Sequence, residues 1–131
     1  MDRSTLIIFA AAVAIGLAIA YWPRSTGSVV EITLPASFTP QAEAGRAAFE
    51  KNCQTCHGVN GTGTANGPPL VHKIYEPSHH SDQSFHRAVR DGVPAHHWQF
   101  GDMPAIEHVE PKQVDSIIVY VREMQRANGI N

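Results

Sequence analysis

Cys53-Gln54-Thr55-Cys56-His57, CQTCH, is the stretch on which the reading of this chain turns. Its two cysteines are the only ones among 131 residues, and their spacing is too local to staple a fold. Such a pair serves as a redox disulfide, as half of a zinc site or as a haem attachment point, and the adjacent His57 favours the third. In C-x-x-C-H the two thiols add across neighbouring vinyl groups on one porphyrin edge, while the imidazole rises beneath the iron from the same turn. A thioredoxin-like site wants a surrounding βαβ pattern, which is absent. A zinc site wants a second ligand pair, which a histidine-rich stretch further along could supply.

Working outward, residues 40–52 predict a helix that runs into the motif, with Thr39 as N-cap and Pro40 at the first position, where its missing N–H costs nothing. Ala42, Gly45, Ala48 and Phe49 share one face, with small residues that allow a second helix to approach closely. A further helix is expected over 82–91, capped by Ser81 and stopped by Gly92, with Phe85, Ala88 and Val89 inward. The last helix, 111–127, carries Val114, Ile117, Ile118 and Val121 at the i, i+3, i+4, i+7 spacing. No strand pattern of useful length and no repeat is present, so the domain reads as all-α. The loops over 58–81 and 92–110 are too long for an empty compact domain and are better understood as wrapped around a cofactor.

Composition narrows the function. Ten Lys plus Arg against 12 Asp plus Glu, with only Lys51, Lys73 and Lys112 as lysines, leave no cationic surface for a polyanion. Nucleic acid is therefore excluded as a partner, because phosphate binding needs clustered cations. The length suits one small domain, of a size that often leans on a cofactor for stability.

With these features the chain resembles the class I cytochromes c, particularly their small bacterial members, over roughly residues 40–128. Gly45 and Phe49 match the family's glycine and aromatic residue on the N-terminal helix, which pack against an aromatic on the C-terminal helix, a place for Tyr120. Gly67-Pro68-Pro69-Leu70 matches G-P-x-L, which implies that the Pro68 carbonyl accepts a hydrogen bond from His57. The resemblance implies N- and C-terminal helices packed across each other, with loops wrapped around one covalent haem c. Met103, in Gly101-Asp102-Met103-Pro104, resembles the family's distal methionine, and Trp98 resembles a tryptophan that donates to a haem propionate. His57 and Met103 are then the expected axial ligands, with Cys53, Cys56, Pro68 and Trp98 completing the cofactor site.

A thioether opposite the imidazole raises the potential relative to two imidazoles. The expected role is an electron carrier and no enzyme, taking electrons from a quinol-oxidising complex or a dehydrogenase and passing them to an oxidase or reductase. The competing class is a haem subunit or enzyme whose sixth ligand is displaceable by peroxide or another small molecule. The sequence also holds eight histidines, among them His79, His80, His86, His96 and His97 flanking the expected distal side. Their plain reading is surface or loop histidines, with His86 on the expected 82–91 helix; the sharper one is a peripheral Cu(II) or Zn(II) site.

The N-terminus completes the expectation. Residues 6–20, LIIFAAAVAIGLAIA, form an apolar run followed by Tyr21 and Trp22. It reads as a membrane anchor over 1–22, or as a signal peptide cut after Ala18-Ile19-Ala20. A flexible tether over 23–39 would then hold a cytochrome domain over 40–131 on the periplasmic side of a bacterial inner membrane, the alternative being a soluble periplasmic protein.

Overall fold

The structure, a computed structural model, describes residues 30–131. Four α-helices order them: α1, Pro40–Asn52; α2, Gln54–His57; α3, Asp82–Asp91; and α4, Pro111–Ala127, with short 3-10 turns at Val59–Gly61 and Lys73–Tyr75. Among the described residues the one β pairing is an isolated antiparallel bridge between Val93 and Met103. The all-α fold expected from the sequence is the fold observed.

Local chemistry sets the helix bounds. Thr39 Oγ1 accepts from the Ala42 N–H at 3.2 Å, and Pro40 follows at the first helical position. The start of α4 is fixed by Gln113, whose side chain accepts the Glu110 N–H at 3.1 Å. The first residue past α3 is Gly92, at φ 76, a left-handed conformation in which glycine carries no Cβ penalty. Ser81 precedes α3 as expected but makes no side-chain capping bond.

α1 and α4 cross at Gly45, and Ala42, Phe49, Tyr120, Val121 and Met124 are buried around the crossing. The Phe49 and Tyr120 rings tilt against each other with centroids 5.6 Å apart, a geometry that aromatic quadrupoles favour. α3 packs on the outside of α4, with Phe85 and Val89 half-buried against the same core.

Residues 30–39, expected as part of the tether, are bound along the domain. Val30 donates to the Thr62 carbonyl at 2.9 Å, Asn128 brackets the Thr33 backbone at 2.7 and 2.9 Å, and Thr39 Oγ1 donates to Glu123 at 2.7 Å. Ile32 and Phe38 add apolar contact with the core.

One expectation is corrected. No helix among the described residues is long and apolar enough to cross a membrane, so placement at a membrane by a spanning helix is not supported. The apolar run 6–20 and the expected anchor, 1–22, lie outside the described residues.

Candidate functional site

α1 delivers the chain directly into the C-x-x-C-H turn. The Cys53 N–H still bonds to the Phe49 carbonyl at 2.8 Å, and the Cys56 and His57 N–H groups both turn back to the Cys53 carbonyl at 3.1 and 2.9 Å. That tight turn places both cysteines and His57 on one turn of backbone. Cys53 is half-buried and Cys56 exposed, and both are free thiols. Burial, and then the neighbouring Cys56, pushes the Cys53 thiol up to about 11. A thiol so protonated at neutral pH is a poor thiolate nucleophile. Among the described residues no trio of metal-ligating side chains includes either cysteine.

The chain then folds back over the turn. Thr64 Oγ1 donates to the Cys56 carbonyl at 2.6 Å, and a Cβ on Gly67 would stand 2.8 Å from that same oxygen, so only glycine fits where the two backbones touch. This close approach carries the Pro68 carbonyl to 2.9 Å from His57 Nδ1. A carbonyl only accepts, so Nδ1 holds the proton and Nε2 is left with the lone pair. Burial lowers the His57 pKa and the Pro68 bond opposes it, so the ring is neutral at pH 7, as iron ligation requires.

On the loop after α3, Met103 is held by its backbone, exchanging two hydrogen bonds with Val93 at 2.9 Å each. Gly92 permits this, since a Cβ there would stand 2.6 Å from the Met103 oxygen. Asp102 braces the same loop by accepting from the Ala95 N–H at 2.8 Å. Trp98 lies between His72, edge-on at 5.1 Å, and Phe100 at 6.1 Å. Its indole N–H is buried without a hydrogen-bond partner. The indole opposes the upward shift that burial imposes on the Tyr75 phenol, yet it stops short of hydrogen-bond geometry with it.

A buried donor left unpaired is costly and calls for an acceptor. A haem propionate is an acceptor of the right charge, and a neutral imidazole beside two thiols is the donor set for haem c. The residues present therefore fit the group that the motif implies.

Two further side chains hold this side of the molecule. Arg122, buried on α4, donates to Asp82 at 2.9 Å, to the Tyr75 and His80 carbonyls at 2.8 and 2.5 Å, and to Gln125 at 2.6 Å. Gln125 in turn donates to the Leu70 and Tyr75 carbonyls at 2.9 and 3.0 Å. Together they tie the 70–81 loop to α4. Neither stands out in the sequence as more than a polar helix residue. The signal was helical phase, because Arg122 follows Ile118 by four and Gln125 follows Val121 by four.

Comparison with known proteins agrees. Residues 42–125 match the sequence model of the family described as "Cytochrome c". Cytochrome c oxidase subunit 2 of Alkalihalophilus pseudofirmus (strain ATCC BAA-2126 / JCM 17055 / OF4) is 32% identical over 90 residues, 64% of this chain and 26% of that protein. The chain thus spans about a quarter of that relative's length. No solved structure gives a significant match. A family match running from the first buried residue of α1 to the last buried residue of α4 covers the whole helical frame, and with it the chain belongs to the cytochrome c family as a class I, haem-binding electron-transfer protein.

Proposed function

We propose that the chain is an electron carrier, not an enzyme, with one haem c bound covalently through Cys53 and Cys56 and coordinated by His57 and Met103. Haem c, when bound, supplies a one-electron iron couple. The observation that carries the reading is the bond between His57 Nδ1 and the Pro68 carbonyl, at 2.9 Å. It fixes the tautomer, points one nitrogen away for ligation and raises the basicity of the ring. Met103 brings a soft sulfur on a loop held at both backbone atoms, and such a ligand favours the reduced form and a high potential. Trp98 offers its unpaired N–H to a propionate.

The proposed donors are a quinol-oxidising complex or a dehydrogenase, and the proposed acceptors an oxidase or reductase. The similarity to an oxidase subunit supports the acceptor side.

Attachment is tested by extraction in acid and organic solvent. The wild type keeps its haem on the polypeptide, with an intact mass greater by one haem, while Cys53→Ala with Cys56→Ala gives a chain without it. Haem that extracts cleanly from the wild type overturns the covalent reading.

A further inference from the structure

Four histidines from two distant loops meet on one flank of the domain. His79 and His80 precede α3, His96 and His97 follow it, and the closest rings, those of His96 and His97, lie 4.3 Å apart between centroids. His97 also lies 5.1 Å from His79 and 5.3 Å from His80. One ring nitrogen from each of His79, His80 and His97 falls within 4.8 Å of the others. We propose that His79, His80 and His97 form a binding site for one divalent late-transition-metal cation of the Cu(II) or Zn(II) type, separate from the haem ligands.

The geometry needs little adjustment. Zinc bound to imidazoles at about 2.0–2.1 Å in a tetrahedron sets its nitrogens roughly 3.3 Å apart. Rotation of two exposed rings, His79 and His97, closes the difference onto His80, which is the fixed member. His80 is half-buried, its carbonyl is held by Arg122 at 2.5 Å, and its ring packs on Tyr75 at 4.9 Å.

His79 and His80 each keep one ring nitrogen with a lone pair free for a metal. His79 Nδ1 and His80 Nδ1 both lie on the Ile74 carbonyl, at 2.9 and 2.6 Å. A carbonyl accepts, so each Nδ1 carries the proton and each Nε2 keeps the lone pair, the arrangement in which metal-bound histidines commonly donate to backbone oxygen. His96 is held the same way on the Pro94 carbonyl at 2.8 Å and stands next in line as a fourth donor.

Electrostatics favour the same outcome. Burial first, and then His79, His97 and His96, lower the His80 pKa; loss of water and then His96 and His79 lower that of His97. Imidazoles gathered without a carboxylate among them make a nitrogen-donor set, which prefers copper and zinc to magnesium or calcium. A cation held there joins the 70–81 loop to the loop that carries Trp98 and Met103.

The test uses the untagged, full-length holoprotein after chelator treatment, titrated calorimetrically with Zn(II) alone and with Cu(II) alone. One equivalent of each saturates the wild type, Cu(II) more tightly. Loss of even an outer partner of a metal ligand costs about 10–100-fold in affinity. His97→Gln and His80→Gln each weaken binding by at least that much, whereas His108→Gln, whose ring bonds Asn52 elsewhere, keeps it. His97 is exposed and its ring makes no hydrogen bond that folding depends on, so this variant retains the wild-type haem spectrum. Metal also raises the thermal midpoint of the wild type and not of His97→Gln. Absence of saturable binding of either metal, or equal binding by His97→Gln and His80→Gln, overturns the site.

Discussion

Gly45 and Ser116 meet backbone to backbone where α1 crosses α4, and a β-carbon on Gly45 would overlap the Ser116 carbonyl. The small-residue face expected on α1 is thus a contact face at its closest point. Gly45→Ala gains about 1 kcal/mol of helix propensity but must push two helical backbones apart, and overpacking of this kind costs about 1–3 kcal/mol or more. Because the obstacle is backbone that no rotamer change can clear, the variant is expected to be net destabilised by about 2 kcal/mol. A fall in the denaturant midpoint with unchanged slope checks it; an alanine variant as stable as the wild type would mean that the crossing is looser than described.

Tyr120 ties that crossing to the haem-motif turn, its hydroxyl donating to Asn60 Oδ1 at 2.9 Å. Asn60 holds a left-handed φ of 56, which its short polar side chain tolerates. Tyr120→Phe keeps the ring packing and loses about 1 kcal/mol with the hydrogen bond. Burial pushes the Tyr120 phenol from its ordinary 10 up to about 12, so the folded chain keeps this proton longer than the unfolded one. The contribution to stability is full below pH 10 and is lost as pH climbs from about 10 to about 12. Denaturation curves across that range should converge between wild type and Tyr120→Phe.

Arg122 and Asp82 form an ion pair at 2.9 Å, but Asp82 is 62% exposed and the pair itself contributes little. What Arg122 does for the fold lies in the half-buried Tyr75 and His80 carbonyls that it satisfies. Asp82→Ala is therefore expected to cost under about 1 kcal/mol, and Arg122→Leu about 3 kcal/mol, because the leucine leaves both carbonyls and the Gln125 amide oxygen without that donor. Equal losses in the two variants would shift the weight back to the ion pair.

Much of this architecture was legible because local signals agreed with the global fold. Thr39-Pro40, the glycine after Asp91 and the apolar period from Val114 to Val121 each mark an element where it occurs. The His57–Pro68 contact was implied by the family resemblance of C-x-x-C-H and G-P-x-L, and the two residues are only 11 positions apart. Contacts of long sequence separation left no local trace. Asn128 reaches Thr33 across 95 residues, which turns a segment that reads as a linker into part of the domain. His79 and His97 belong to loops whose convergence depends on the placement of α3, and Arg122 faces inward against the usual exposure of arginine.

The sixth ligand is the point at which the carrier and the ligand-binding enzyme part, and several histidines compete with Met103 for it. Met103 has the better support because its backbone is doubly bonded to Val93, with Gly92 and Asp102 bracing the turn, so its side chain springs from a fixed base. A thioether stabilises ferrous iron more than a second imidazole does. Met103→Ala is therefore expected to lower the midpoint potential, to let carbon monoxide bind the reduced protein and to raise peroxidase-like side activity, with haem still attached. Met103→His should close the site again without restoring the potential. Redox titration and carbon monoxide difference spectra separate the cases. An alanine variant that keeps a low-spin spectrum and the wild-type potential would remove Met103 as ligand; His72, whose ring already lies 5.1 Å from that of Trp98, would then be the first replacement to test.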